Sequence, residues 1–212
     1  MSIHLPFKKL SKWQQITFAA ALLERMLPNY QMFSEAEQFG DSQVLRNQLN
    51  IIWQWLANPQ SVKINVEAQL NKLEPQIPDP EAFDSFGVFP ALDVCMAISS
   101  LWQLIDFKPK AKKAEVATDD VQAISRLSVN SVSYFVELTL MQLEQEENES
   151  VDSEVSAEQI EAHPLMQWEK ETQNELFDFL KFAAENKRSC QLAKEMVLSE
   201  GLSNLGIEIN DI

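Results

Sequence analysis

The sequence predicts an all-α protein, a single-domain bundle of about seven to nine helices around a central apolar helix. Apolar residues recur at spacings of three and four along most of the 212-residue chain, which is the period of helices that face a core. Only four glycines are present, too few for the glycine-rich turns of a nucleotide-binding α/β fold or a β-sandwich. No stretch alternates clearly between apolar and polar residues, and residues 206–209 are the one candidate strand.

Capping residues and helix breakers mark where each predicted helix begins and ends. Ser11, Asp41, Asn65 and Ser156 each precede a helical pattern and supply a side-chain oxygen for the free backbone amides of the first turn. Pro28 lacks a backbone N–H, so we expect it to interrupt the first helix. The predicted helices cover residues 12–27, a short stretch to 39, 42–57, 66–73, 91–105, 120–143, 157–162, 164–186 and a last stretch to 199.

The helix predicted from Ala91 to Ile105 differs from the others because it is apolar on almost every side. Pro90 suits the position at which this helix begins. A helix that lacks a polar face is buried in a soluble protein, and we therefore expect this one to be central and fully enclosed by the others.

Two charged stretches predict connectors inside one domain of residues 1–212. Residues 144–154 contain six acids among eleven residues, so 144–155 is predicted to be a flexible acidic connector. Residues 108–113 contain four lysines and are predicted to be a solvated loop. A chain of this length can bury about 70% of its surface, which is enough for a core without disulfide bonds.

The net charge of −15 argues against several partners. It repels nucleic-acid phosphates and anionic membranes, so we expect neither direct nucleic-acid binding nor membrane association. A partner, if there is one, is expected to be another protein. The first residues lack a secretory signal pattern, and a domain of this size does not need a disulfide bond between Cys95 and Cys190. Together these two observations predict a cytoplasmic protein. The sequence leaves the oligomeric state open.

The usual motifs of catalysis and cofactor binding are absent from the sequence. It contains no G-x-x-x-x-G-K-[ST] loop, no G-x-G-x-x-G, no G-x-S-x-G elbow, no H-E-x-x-H and no C-x-x-C. Two histidines and two cysteines leave little for a transition-metal site, so no metal and no cofactor are expected. An oxygen-ligand magnesium site leaves little trace in sequence and stays open.

Polar residues on apolar helix faces are the candidate site residues. Glu24 and Arg25 lie between two apolar faces of the first helix, either as a structural ion pair or as a clamp in which Arg25 binds an anion. Asp84 and Asp93 flank the start of the central helix, either as a turn residue and a first-turn acid or as a carboxylate pair for a metal or a shared proton.

A third candidate pair lies on the helix that Pro164 opens. Glu169 interrupts the apolar stripe of this helix, and His163 stands at its start. His163 is either the N-cap or the partner of Glu169 in an acid–base pair.

Four segments resemble a known family. They read ERMLPNY at 24–30, DSFGVFPALD at 84–93, HPLM at 163–166 and SNLGI at 203–207. In combination they are similar to the YjaG-like family of uncharacterised bacterial proteins, over nearly the whole chain. The resemblance implies an all-helical cytoplasmic protein of about this length and no established activity, cofactor or catalytic residue.

Three functions stay open at this point. The first is a non-catalytic protein-interaction or regulatory module, which requires an exposed apolar or acidic patch. The second is an enzyme or small-ligand binder whose polar pocket between helices gathers Arg25, Tyr30, Asp84, Asp93 or Glu169. The third is a DNA mimic, which requires the acids of the C-terminal half to lie in rows on one face.

Overall fold

The computed structural model describes residues 4–106, 118–147 and 155–209, and in these ranges it confirms the all-α prediction. No strand forms within them, and the predicted tail strand is reduced to one antiparallel bridge between Leu202 and Glu208. The described residues form eight α-helices: α1 Lys12–Glu37, α2 Ser42–Ala57, α3 Val66–Leu73, α4 Val88–Asp106, α5 Asp119–Glu147, α6 Ala157–Ala162, α7 Pro164–Phe182 and α8 Lys187–Val197.

The predicted capping residues occupy the positions expected of them. Ser11 accepts a hydrogen bond from the backbone N–H of Gln14, whose side chain accepts one from Ser11 in return. Asp41, Asn65 and Ser156 each accept a bond from a backbone amide in the first turn of their helix. The starts of α2, α3 and α6 were therefore predictable, because capping depends on neighbouring residues in the sequence.

The expected break at Pro28 is wrong. Helix α1 continues through Pro28 and ends at Glu37, followed by Gln38 in a left-handed conformation with φ of 53°. Every residue from 15 to 30 is buried. The proline removes one hydrogen bond and is costly inside a helix. Packing on all sides of α1 opposes that cost, which the local sequence does not reveal.

The prediction of a central apolar helix is confirmed by α4, which packs mainly on α1 and α5. Helix α4 begins at Val88, so Pro90 lies within its first turn rather than at its first position. One edge of α4 reaches solvent through Phe89, Met96 and Gln103, so it is not enclosed on every side. The enclosed helix is α1.

Helix α4 is also the one described helix that is long and apolar enough to cross a membrane. Other helices bury 56% of its most apolar window, and a core helix passes the same test, so the feature is weak evidence for a membrane span.

The remaining boundaries differ from expectation in two places. Helix α7 ends at Phe182 rather than near Asn186, because Asn186 is the N-cap of α8 and accepts a hydrogen bond from Ser189 N. Helix α5 continues to Glu147, into the predicted acidic connector. The rest of that connector up to 154, and the lysine-rich loop at 108–113, lie outside the described residues.

Candidate functional site

Glu24 joins three helices beneath the surface. Its carboxylate is 2% exposed and accepts a hydrogen bond from Arg46 Nη1 at 2.7 Å and one from Trp53 Nε1 at 2.7 Å. The ammonium of Lys194 on α8 lies 3.0 Å from the same carboxylate. These contacts connect α1 with α2 and α8. Glu24 therefore forms structural ion pairs, and its partners are Arg46 and Lys194.

Arg25 pairs instead with Glu169, across the core. Arg25 Nη1 donates to Glu169 Oε2 at 2.6 Å, and neither side chain is exposed. The guanidinium also lies 4.1 Å from the ring centroid of Trp168. A buried charge is tolerated when it is paired and hydrogen-bonded. Arg25 Nη1 meets both conditions, whereas Nε and Nη2 have no hydrogen-bond partner among the described residues.

The Arg25–Glu169 pair belongs to a buried polar layer that connects α1, α5, α7 and the C-terminal turn. Glu169 Oε1 accepts bonds from Ser128 Oγ and Gln173 Nε2. Asn204 Nδ2 donates to the carbonyl and the hydroxyl of Ser128, and Asn204 Oδ1 accepts from Asn29 Nδ2 at 2.8 Å. The layer holds four parts of the chain in register, and its charged members line none of the cavities described below.

Three other predicted site residues lie outside this layer. Tyr30 donates from its hydroxyl to the carbonyl of Gln76 at 2.9 Å, and burial, with Cys95 and Asp41 nearby, raises its pKa. His163 is the N-cap of α7, where its Nδ1 accepts from Leu165 N at 3.2 Å. Asp84 is exposed before α4. Accordingly, Arg25, Tyr30, Asp84, Asp93 and Glu169 do not gather around one cavity.

Among the predicted candidates, Glu24 lines a cavity beside its partners Arg46 and Lys194, and a different cavity is lined by Asp93. Asp93 lies on the second turn of α4, and its Oδ2 accepts a hydrogen bond from Ser131 Oγ of α5 at 2.7 Å. Burial raises the pKa of Asp93 to about 6, while the bond from Ser131 acts in the opposite direction. The cavity measures about 430 Å³, and we refer to it as the Asp93 cavity; it is lined by Phe89, Pro90, Leu92, Asp93, Asn130, Ser131, Ser133, Tyr134 and Glu137.

A second cavity of about 430 Å³ opens on the other side of Pro90. Asn29 lies at its floor, so we refer to it as the Asn29 cavity. Asn29 is 4% exposed, and its Oδ1 has no hydrogen-bond partner among the described residues. The other walls are mostly apolar and come from α1, the start of α4, α5 and the C-terminal turn: Met32, Phe33, Phe86, Pro90, Phe135, Leu205 and Ile207.

Between the two cavities lies a cluster of four aromatic rings, which we name the aromatic face: Phe86, Phe89, Tyr134 and Phe135. Phe86 and Tyr134 stack with ring centroids 6.4 Å apart, and Phe89 lies 5.8 Å from Tyr134. Phe89 is 44% exposed and Tyr134 is 53% exposed. Exposed rings that contact one another form a continuous apolar surface, unlike isolated surface residues.

Sequence reasoning missed several members of this site. Ser125 and Ser128 were not among the predicted site residues, yet their hydroxyls donate to Gln173 and Glu169. Asn204 sits in a glycine-containing turn, where an asparagine is ordinarily explained by the turn itself. Tyr134 lies four residues after Asn130 and three before Glu137, so it shares a helix face with two polar residues, which was the available signal for its exposure.

Comparison with known proteins identifies the family to which the chain belongs. Its helical fold is that of an uncharacterised bacterial protein family. The chain belongs to the family described as "Protein of unknown function (DUF416)", whose model matches residues 2–208. This confirms the resemblance to the YjaG-like family.

Relatives in other bacteria match over almost their full length. "Uncharacterized protein YjaG" of Escherichia coli K12 is 34% identical over 208 residues, covering 97% of this chain and 95% of that protein. An "Uncharacterized protein" of Haemophilus influenzae is 33% identical and covers 98% and 97% of the two chains. The crystal structure of a DUF416 family protein from Shewanella baltica OS155 is similar with a TM-score of 0.76 and 34% identity, covering 97% of this chain and all of that one.

Three of the four segments that carry the family resemblance meet at the Asn29 cavity. Residues 24–30 contribute Asn29, residues 84–93 contribute Phe86 and Pro90 among others, and residues 203–207 contribute Leu205 and Ile207. These segments are far apart in the sequence, so only the fold reveals that they form one surface feature. The aromatic face beside this cavity is therefore our candidate functional site.

Proposed function

We propose that the protein is a cytoplasmic, non-catalytic interaction module that binds another protein through the aromatic face. The observation that carries the proposal is the contact between two half-exposed rings, Phe89 and Tyr134, backed by Phe86. Aromatic side chains on a rigid support are the usual anchors of protein–protein interfaces, because they bury a large area at low entropic cost.

The two cavities beside the rings strengthen the proposal. Interfaces gain most of their affinity from anchors that enter pockets, and each cavity opens next to the aromatic face. Met32, which is 57% exposed, extends the apolar surface along the rim of the Asn29 cavity. A partner can thus contact the rings and place a side chain on either side of them.

The pairing of the interior polar groups supports a structural role for them and not a catalytic one. Arg25 and Glu169 neutralise each other in the core, and Glu24 is held by Arg46 and Trp53. Groups paired in this way hold helices together, whereas catalytic acids and bases must reach a substrate. The net charge of −15 supports a protein partner over nucleic acid or an anionic membrane, and the cytoplasmic location is proposed from the sequence arguments above.

Retention of a partner from cell extract tests the proposal. We would compare the parent protein with the double variant Phe89→Ser/Tyr134→Ser as affinity bait, using quantitative mass spectrometry. Phe182→Ser is the matched control, because Phe182 is 82% exposed at the end of α7 and lies outside the aromatic face. The proposal predicts a partner that the parent and Phe182→Ser retain and the double variant loses. Identical recovery by all three proteins would contradict it.

A second candidate function, small-ligand binding, is favoured by the Asn29 cavity. Its volume of about 430 Å³ lies in the range of ligand pockets, which are mostly apolar with few polar groups. The Nδ2 atoms of Asn204 and Asn29 are both committed as donors, so Asn29 Oδ1 is an acceptor that lacks a donor. Thermal shifts measured with phenol and with toluene test this function. A stabilisation by phenol alone supports it, and no shift with either compound argues against it.

A further inference from the structure

The Asp93 cavity has a charge pattern that the proposed interface leaves unexplained. Among the described residues that line it, Asp93 and Glu137 are carboxylic acids and none is a cation. Elsewhere in the described structure, the buried carboxylates of Glu24 and Glu169 each have an arginine partner. Asp93 and Glu137 are half-buried, and unlike Glu24 and Glu169 they have no cation among the described residues that line their cavity.

The environment of Asp93 makes its ionised form costly. Its carboxylate is largely buried, which raises its pKa to about 6. Near neutral pH the group is nevertheless mostly ionised, and Ser131 supplies a hydrogen bond to Oδ2. A carboxylate offers about four lone-pair sites, so further donors can be accommodated. A cation in the cavity would favour the ionised form by direct Coulomb attraction.

Two aromatic rings complete the walls of this cavity. Phe89 and Tyr134 both line it, with ring centroids 5.8 Å apart and planes inclined by 36°. The faces of aromatic rings attract ammonium and guanidinium groups, and the attraction increases when water is excluded. Carboxylates and aromatic rings in the lining of one cavity therefore suit an organic cation more than an anion or a purely apolar group.

We propose that the Asp93 cavity receives a Lys or Arg side chain of the partner protein, with its charge at Asp93 and Glu137 and its aliphatic stem between Phe89 and Tyr134. This inference rests on the proposed interaction function and adds the chemistry of the partner. Charge complementarity selects that occupant, because the chain carries a net charge of −15 and the described lining of the cavity contains two acids and no cation.

A titration with matched amino-acid derivatives tests the cavity directly. The probes are N-acetyl-lysine methylamide and N-acetyl-norleucine methylamide, which share an aliphatic stem and differ in the ammonium group. In amide NMR spectra, the lysine derivative is expected to shift resonances of residues 89–93 and 130–137 with saturation in the millimolar range. The norleucine derivative is expected to cause shifts at least tenfold smaller at equal concentration. Equal shifts from both probes, or none from either, would overturn the inference.

Variants separate this inference from the proposed function. The double variant Asp93→Asn/Glu137→Gln removes both charges with little change of shape, and its amide spectrum reports whether it is folded. It should lose the lysine-dependent shifts and retain the partner at least tenfold more weakly than Phe182→Ser does. If it retains the partner at parental affinity while Phe89→Ser/Tyr134→Ser loses it, the interaction function stands and the cation receptor is wrong. If Phe89→Ser/Tyr134→Ser also retains the partner, the interaction function itself fails.

Discussion

Arg25 and Glu169 form an ion pair from which water is excluded, with Arg25 Nη1 2.6 Å from Glu169 Oε2 and no exposed surface on either side chain. Removing one partner from such a pair leaves an uncompensated charge in the core. We therefore expect Glu169→Gln to lower the free energy of unfolding by about 3–5 kcal/mol. Urea denaturation of the variant and the parent measures the difference. A loss below about 1 kcal/mol would show that Arg25 finds another partner.

Glu24 should behave similarly but less severely, because Lys194, one of its three partners, is partly exposed. Glu24→Gln removes the negative charge of the carboxylate to which Arg46 and Trp53 donate hydrogen bonds. We expect the free energy of unfolding to fall by about 2–3 kcal/mol. Lys194→Met is the control: its side chain is 40% exposed, so its ion pair should contribute less than about 1 kcal/mol. Chemical denaturation of both variants checks the ranking, and equal losses would contradict it.

Asp93 predicts a pH dependence of stability with a definite sign. Its pKa is raised to about 6 in the folded protein, against about 4 in an unfolded chain, so the folded state binds this proton more tightly. Its contribution to stability is complete below about pH 4 and is lost as the pH rises through 6. Between pH 5 and pH 8, the parent should therefore lose about 1–2 kcal/mol relative to Asp93→Asn.

Denaturation curves of the parent and Asp93→Asn at the two pH values give this difference directly. Asp84→Asn serves as the control because it makes the same chemical change at an exposed carboxylate nearby. A parent that gains stability relative to Asp93→Asn on going to pH 8 would have the wrong sign and would refute the burial argument.

The packing of α4 predicts different costs for two of its apolar side chains. Leu101 has no exposed surface, so Leu101→Ala should destabilise the protein by about 2–5 kcal/mol. Met96 is 43% exposed on the open edge of the same helix, and Met96→Ala should cost well under half as much. Equal denaturation midpoints for the two variants would contradict the burial of Leu101 and the exposure of Met96 on opposite sides of α4.

Local sequence patterns were sufficient for much of the fold. The caps at Ser11, Asp41, Asn65 and Ser156 depend only on residues a few positions away, and the apolar run of α4 indicates burial without further information. Pro28 was misjudged because its effect depends on tertiary packing. The buried polar residues of α1 concealed that α1, more than α4, is enclosed.

The candidate site was harder to predict, because its parts are brought together by the fold. Burial arguments identified Asp93, Arg25 and Glu169 as unusual, yet only the structure shows that Glu169 is paired with Arg25 whereas Asp93 lines a cavity. Phe86 and Phe89 were not among the predicted site residues. They form one cluster with Tyr134 because the fold brings α5 beside the start of α4, and a contact between distant residues leaves no periodic signal.

Cross-linking in living cells tests the proposed docking surface most directly. A photoreactive phenylalanine analogue would replace Tyr134 in one variant and Phe182 in another, both of which are exposed. The proposed function predicts a discrete cross-linked product from position 134 that contains the same partner protein in repeated experiments and is absent from position 182. Products that match at both positions, or none at position 134 although the variant is folded and abundant, would contradict binding at the aromatic face.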